Sequence, residues 1–419
     1  MKSVVLSIVL TFSSLHILYG QWEDISINTS TSLSSIDFLD NDNGYVTGEN
    51  LIYRTSDGGA NWELSFESDL KFDFLDVYTL DKDNAFAVGS DRNSALLLRT
   101  EDNGLSWNRI PLGDPFSLTK LTSITFTSAL IGYCTDSKGR ILKTIDGGLT
   151  WDLKPDASFS TDNVSISIDF TSDSTGIVVG DRLSPYGGSS FIAKTEDGGD
   201  SWELLSAYMS EYPSDRNKKI SIFFSDDETA YLLEKDGLSK TLDCGENWIA
   251  RDPEFKIENK GIFFTDNNTG YVVGSRIQKT TSGGEDWEEI TPVIQGAPSN
   301  SIEFNSIDFP NPEVGYVAGD NGKIFKIINT ETISTDDLTD EQLEAITIFP
   351  NPTTSRLTIS SPELGIQRID VLDGQGQTQS MQYDEVRELI YDLQGYVSGL
   401  YFFSIHTEKG QVVKKVVVE

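Results

Sequence analysis

Thr144-Ile145-Asp146-Gly147-Gly148-Leu149-Thr150-Trp151 is one of a set. The same pattern, Ser or Thr, then Asp two residues on, Gly two beyond that and Trp three further, recurs as TSDGGANW at 55–62, TEDNGLSW at 100–107, TEDGGDSW at 195–202 and TLDCGENW at 241–248. A sixth copy, TTSGGEDW at 280–287, carries Ser282 in place of the Asp. Successive tryptophans Trp62, Trp107, Trp151, Trp202, Trp248 and Trp287 lie 45, 44, 51, 46 and 39 residues apart. Self-similarity at such a period marks a repeat architecture, and the period suits one four-stranded blade of a β-propeller.

Each repeat has the same internal order. A short apolar strand such as Ser35-Ile36-Asp37-Phe38 leads into a polar turn, then a second strand: GYVTG 44–48, AFAVG 85–89, GYCTD 132–136, GIVVG 176–180, AYLLE 230–234, GYVVG 270–274 and GYVAG 315–319. A third strand ends in a base and Thr, the Asp turn follows, and Trp opens the outer strand. Alternating apolar and β-branched residues support strands throughout. The second strand occurs seven times and the Trp turn six. The missing outer strand is at the other end of the chain, where Gln21-Trp22-Glu23-Asp24-Ile25 matches Trp287-Glu288-Glu289-Ile290. The fold expected is therefore all-β: a seven-bladed propeller over 21–330, closed by its own N-terminal strand, with no open edge left to pair with other chains.

Within the turn, Thr and Asp side chains suit backbone N–H groups, Gly permits positive φ, and Trp packs between blades. Asp57, Asp102, Asp146, Asp197 and Asp243 accordingly read as scaffold; the alternative makes them metal ligands or catalytic carboxylates. A base precedes every turn Thr (Arg54, Arg99, Lys143, Lys194, Lys240, Lys279), with Lys326 at the equivalent place in blade seven. If Thr55 faces Trp62, then Arg54 faces Glu63, Lys143 faces Asp152, Lys194 faces Glu203, Lys279 faces Glu288, and Lys326 faces Glu23 across the closure. Such pairs contribute roughly 0.2–1 kcal/mol each.

The repeat resembles the Asp-box (BNR) propellers, which include sialidases, xyloglucanases, sortilin-type receptors and photosystem II assembly-factor-like proteins; the short GYxVG and TxDGGxxW blades look most like the last group. The resemblance implies the fold. It leaves function open, because unrelated activities share the scaffold.

Two further segments flank the propeller. Residues 1–20 read as a secretory signal peptide, with Lys2 as the charged region, an apolar run from Val4 to Leu10 and Gly20 ahead of the cut. Residues 331–344 are polar and acidic and read as a linker. From Ala345 the chain is β-rich and forms a small C-terminal domain, expected to be a β-sandwich. Its Pro350-Asn351-Pro352, Gly399-Leu400-Tyr401 and Lys414-Lys415 motifs resemble the type IX (Por) secretion-system sorting domain over 345–419. That resemblance implies export across the outer membrane by the type IX machinery, to a secreted or surface-attached location.

Composition narrows the chemistry. Acids outnumber bases 66 to 32, a formal charge of −34. That balance argues against nucleic acid and anionic lipid as partners, and no stretch is long enough for a transmembrane span. The two histidines, His16 and His406, fall in the leader and the tail, so Ser-His-Asp catalysis and His-ligated zinc are not available to the propeller. Cys134 and Cys244 occupy non-equivalent points two blades apart and are not expected to form a disulfide. Arg109-Ile110-Pro111 is like a sialidase motif, yet it follows Trp107 in an outer strand, where it reads as a strand-to-loop transition. Asp40-Asn41-Asp42-Asn43-Gly44 has calcium-loop composition, but it aligns with Asp266-Asn267-Asn268-Thr269-Gly270 and reads as the first turn of the repeat; a surface calcium ion is the alternative. No cofactor or metal is expected.

The candidate binding residues lie in the loops between second and third strands, on the face opposite the Asp turns. Arg92, Arg140, Arg182, Lys235, Arg276 and Lys323 would ring one mouth of the channel, either as an anion or acidic-glycan site or as local partners of nearby Asp residues. Tyr186, Tyr208, Tyr212 and Arg216, in the longest loops, add aromatic and Arg contacts of the kind binding surfaces favour. The function expected is a non-catalytic binding protein for a protein or polysaccharide ligand. The alternatives are an Asp-box glycoside hydrolase, sialidase- or xyloglucanase-like, and a photosystem II assembly-factor-like protein.

Overall fold

A computed structural model describes residues 21–92, 94–112, 119–154, 166–182, 189–209, 221–234, 237–251, 259–292, 302–328, 345–362, 364–373, 378–407 and 410–418. The leader at 1–20 and the linker at 331–344 lie outside the described residues. Seven four-stranded antiparallel sheets follow one another in sequence order. Their inner strands are Leu33–Phe38, Phe72–Thr79, Leu121–Phe126, Ile166–Phe170, Ser221–Phe224, Gly261–Phe264 and Phe304–Asn311. Each packs on the next around a ring, and the seventh packs on the first. The chain is a seven-bladed β-propeller. Its seventh sheet takes its outer strand from Gln21–Asp24, with Trp22 opposite Ile327 and Glu23 opposite Lys326. The indole Nε1 of Trp22 also donates to the Ile290 carbonyl of blade six at 2.7 Å, so the closing strand grips two blades.

The seams between blades explain the repeated residues. Second-strand aromatics stack on an inner-strand Phe of the following blade: Tyr133 on Phe170 at 3.9 Å, Tyr231 on Phe264 at 3.6 Å, and Tyr316 on Phe38 at 3.5 Å across the closure; blade two has Thr79 at the Phe position, and Tyr45 meets Trp107 edge-on. The turn Trp of that following blade meets the same Phe edge-on, as Trp62 meets Phe38 at 6.0 Å and Trp202 meets Phe170 at 6.1 Å. Stacked and edge-to-face rings add about 0.5–1.5 kcal/mol per pair beyond burial. The Gly that opens the second strand makes room for this Phe. A Cβ on Gly44 would sit 2.6 Å from the Phe38 ring.

The Asp turn is a closed hydrogen-bond unit. In blade three, Thr144 Oγ1 donates to Asp146 Oδ1 (2.8 Å) and accepts the Gly148 N–H (2.9 Å), while Asp146 accepts the Thr150 N–H (2.9 Å) and hydroxyl (2.6 Å). Blades one, two, four and five repeat it around Asp57, Asp102, Asp197 and Asp243. In blade six Ser282 Oγ takes over the acceptor role toward the Asp286 N–H at 2.9 Å.

The bases before the turns face the acids in the register set out above. Arg54 does bridge Glu63 at 2.8 Å. Others reach instead to the next blade. Lys143 Nζ donates to the Gly198 carbonyl at 2.6 Å, Lys240 Nζ to the Gly283 carbonyl at 3.1 Å, and Lys194 Nζ lies 3.2 Å from Glu246. Lys194 also bridges Glu196 of its own turn at 2.8 Å, and Arg99 bridges Glu101 at 3.2 Å, so the bases cap the neighbouring turn as well as pairing within their own blade.

The C-terminal part forms a three-stranded sheet, which includes Arg356–Ser360 between Thr347–Phe349 and Glu388–Asp392, and a four-stranded sheet ending in Gly399–Thr407 and Gly410–Val418. Ile359, Ile369, Tyr391, Phe403 and Val416 are buried in one core that draws on both sheets. Cys134 and Cys244 are free thiols. Among the described residues, no helix is long and apolar enough to cross a membrane.

Candidate ligand-binding surfaces

Every blade is a meander, so its turns alternate between two faces. The Asp turns lie beside the first turns, held by one recurring backbone bond: Gly58 N–H to the Asp42 carbonyl at 3.0 Å, Gly147 to Leu130 at 3.0 Å, Gly198 to Ser174 at 2.8 Å. The hairpins between second and third strands lie on the other face, where the candidate bases fall.

Carboxylates stand beside most of those bases that are described. Arg140 Nε donates to Asp136 Oδ2 at 2.7 Å, and Asp136 is itself fully buried, accepting also from Thr119 Oγ1 at 3.0 Å. Arg276 is bonded to Glu289, and Lys323 Nζ lies 2.9 Å from Asp24. Arg92 is exposed on a left-handed backbone, at φ 57°. Arg182 ends the strand Gly176–Arg182 opposite Ser189, and Tyr208 lies opposite Ser190 in the strand Glu203–Met209. Tyr186, Tyr212, Arg216 and Lys235 lie outside the described residues.

Blades also meet on this face through bases that the sequence pattern did not single out. Lys120 Nζ of blade three lies 2.9 Å from Asp73 of blade two, and Lys260 bonds Glu303 across blades six and seven.

Deeper in the channel sits a set that sequence reasoning missed. Asp37, Asp169 and Asp308 occupy the same inner-strand position in blades one, four and seven, each opposite the residue after the second-strand Gly. Each carboxylate accepts a backbone N–H from the next blade: Asp308 from Phe38 (2.8 Å), Asp37 from Thr79 (2.6 Å) and Asp169 from Phe224 (2.8 Å). Burial raises Asp37 and Asp169 to about 6. Burial, and then the charge of Asp37, raises Asp308 well above the usual carboxylate range. Tyr78 fills the corresponding place in blade two. Burial pushes its hydroxyl up to about 12, and the fields of Asp37, Asp169 and Asp308 add to that shift. Phe223 and Phe263, 4.7 Å apart, take this place in blades five and six. The available signal was positional: the residue two after the inner-strand Ser (Ser35, Ser123, Ser167, Ser221 and Ser306) reads Asp, Thr, Asp, Phe and Asp in chain order.

The turn carboxylates are held in the opposite sense. Hydrogen bonds from the Ser201 hydroxyl and N–H hold Asp197 at about 2, and those from Ser106 lower Asp102.

In the tail, Asn351 braces the final strand. Its Nδ2 donates to the Lys415 carbonyl at 2.6 Å and its Oδ1 accepts the Val417 N–H at 2.9 Å. Pro350 and Pro352 flank it on the surface. Tyr401 is buried and donates to the Val397 carbonyl at 3.0 Å, Gly399 pairs with Val418, and Lys415 is exposed while Lys414 is half-buried.

Comparison with known proteins agrees with this architecture. Residues 16–122 match the family described as photosynthesis system II assembly factor YCF48, and residues 347–419 match the secretion system C-terminal sorting domain. The photosystem II assembly lipoprotein Ycf48 of Synechococcus sp. (strain CC9902) is 24% identical over 332 residues, covering 73% of this chain and 87% of the relative. Among solved structures, YCF48 bound to D1 peptide superposes with a TM-score of 0.57 at 20% identity, covering 75% of this chain and 96% of that one. The Niastella koreensis GH74 enzyme superposes with a TM-score of 0.56 at 12% identity, covering 95% of this chain and 74% of that one. The chain is thus a Ycf48-like propeller followed by a C-terminal sorting domain of the Por type.

Proposed function

We propose that this protein is a non-catalytic propeller carried by the type IX system to the cell surface or beyond, where the face opposite the Asp turns captures an extended peptide. The observation that carries the binding reading is the engagement of the channel carboxylates. Asp169 accepts from Phe170 N–H through one oxygen and Phe224 N–H through the other, both at 2.8 Å. Asp37 and Asp308 each hold a neighbouring inner strand in the same way. These groups knit the ring, which suits a rigid docking scaffold better than a carboxylate pair poised to transfer protons. A peptide is favoured over a glycan because a Ycf48 structure holds a peptide on the same scaffold. Photosystem assembly is not carried over, since the sorting tail directs the chain elsewhere.

Two measurements test this. Removing 345–419 is expected to leave the propeller in the periplasm; its arrival in culture supernatant or on the surface would refute the export reading. Mature protein is then screened on peptide and glycan arrays. Peptide capture that weakens on replacing Arg92 and Tyr208 with Ser supports the assigned face. Turnover of a xyloglucan or sialoside substrate that Asp169→Asn abolishes would overturn the binding-only reading and install the hydrolase.

A further inference from the structure

We infer that blade three carries a second docking surface, on the Asp-turn face, for a protein segment whose apolar side chains are flanked by lysine or arginine. Leu130, Ile145 and Leu149 are 58%, 68% and 56% exposed. They are neighbours, because the Gly147 N–H between the latter two donates to the Leu130 carbonyl at 3.0 Å. Ala129 extends the exposed apolar surface.

The same backbone bond identifies the equivalent residues elsewhere. It places Asp42, Asp83, Ser174, Glu228 and Asn268 where blade three has Leu130. The position of Ile145 is Ser56, Glu101, Glu196, Leu242 and Thr281 in the other blades, and that of Leu149 is Ala60, Leu105, Asp200, Glu246 and Glu285. Blade three alone among the six turn-bearing blades is apolar at all three. The turn folds equally well with carboxylates in these places, so its folding chemistry does not call for the apolar set. Exposed apolar residues that cluster, unlike scattered ones, mark interaction surfaces.

Charge selects the occupant. Glu101 on one side and Glu196 and Asp200 on the other are exposed carboxylates of the flanking blades, each paired to a less exposed base of the scaffold: Arg99 at 3.2 Å, Lys194 at 2.8 Å and Lys154 at 2.6 Å. The whole chain carries 66 acids against 32 bases, so two copies repel, and so does an anionic lipid surface. A basic, amphipathic protein segment matches both the apolar centre and the acidic flanks. This surface is on the face opposite the hairpins assigned to ligand capture, so it stands or falls independently of that reading.

The test uses the mature full chain and three labelled synthetic peptides of equal length: alternating Leu–Lys, alternating Leu–Glu and alternating Ser–Lys. Anisotropy is followed at low and moderate salt. The variant Leu130→Asp/Ile145→Glu/Leu149→Asp carries residues that blades two and four hold at those places, and a thermal melt verifies its fold. Leu242→Glu, which changes an exposed apolar residue on blade five, is the control. Leu–Lys peptide is expected to bind the native chain and the control alike and to weaken at least tenfold on the triple variant, although that variant is more acidic. Leu–Glu and Ser–Lys peptides are expected not to bind. The proposal is overturned by absence of Leu–Lys binding to the native chain, by equal binding to the triple variant, or by Ser–Lys binding as tightly as Leu–Lys. Sedimentation showing self-association that the triple variant loses would overturn it too, by making a second copy the occupant.

Discussion

The Asp308 carboxylate accepts the Phe38 N–H at 2.8 Å, joining blade seven to blade one across 270 residues of chain. The bond belongs to a set, seen at four of the seven seams among the described residues, in which an inner-strand Asp or Ser of one blade holds the inner strand of the next. Asp76 Oδ2 takes the Ile124 N–H at 3.0 Å, and Ser306 Oγ takes the Ile36 N–H at 3.2 Å. Three of these carboxylates are raised by burial, which ties ring stability to pH.

The sign follows from linkage. A carboxyl whose pKa is higher in the fold than in the unfolded chain stabilises the fold fully below the unfolded value and loses that contribution as pH rises through the folded value. Asp37 and Asp169, at about 6, therefore favour the fold most near pH 4 and lose that effect between about pH 4 and 6. The turn carboxylates act oppositely: Asp197, at about 2, contributes above pH 4 and is lost as pH falls toward 2. Thermal melts are expected to peak between about pH 4 and 6. Asp308→Asn keeps an acceptor for Phe38 and removes the charge, so it is expected to raise the Tm at pH 7.5 and leave it unchanged at pH 4.5. A Tm that drops equally at both would show that the charged form is the stabilising one.

Thr144 tests the Asp turn. Its hydroxyl is the single group that accepts the buried Gly148 N–H and donates to Asp146. Thr144→Val preserves shape and leaves that N–H without an acceptor, a loss of about 1–3 kcal/mol. Urea denaturation reads it. A change within experimental scatter would mean the turn is held by its backbone alone.

Gly148 has φ +81°, and a Cβ there would lie 2.4 Å from Phe86 Cζ. Gly148→Ala combines a backbone penalty of about 1–2 kcal/mol with overpacking of about 1–3 kcal/mol. Gly237 is the contrast, because among the described residues an added Cβ there would meet nothing within 4 Å, and its φ lies outside the left-handed region. Gly237→Ala is expected to be neutral or mildly stabilising. Equal melting of the two variants would remove the steric account of the seam.

The architecture was legible because seam chemistry recurs: a stacked ring, an edge-on Trp and a Gly that admits the Phe leave the same letters in most blades. The channel carboxylates were harder to read, since Asp37, Tyr78 and Phe223 share a position but no residue type; the preceding Ser marks it in some blades, and strand register is needed to place Tyr78 with them. The candidate bases were legible as residues but not as chemistry. Whether Arg140 or Lys323 is offered to a ligand depends on Asp136 and Asp24, and the Asp24–Lys323 pair, 299 residues apart in sequence, arises only from ring closure.

That closure gives the last prediction. Trp22 supplies the outer strand of blade seven, packs edge-on to Phe325 at 6.3 Å and donates to Ile290 of blade six. Trp22→Ala removes ring packing and the indole bond together. For a half-buried Trp the loss is about 3 kcal/mol, at the lower end for this substitution. Deleting 21–25 goes further, baring the edge of Ile324–Ile328 to other chains. The point variant is expected to remain monomeric with a lowered urea midpoint, and the deletion to aggregate. Hydrogen exchange should rise first in Ile324–Ile328 and then in blade six, where the Ile290 carbonyl has lost its partner. Protection that is unchanged in blade seven after the deletion would show that the other three strands hold the seventh sector by themselves.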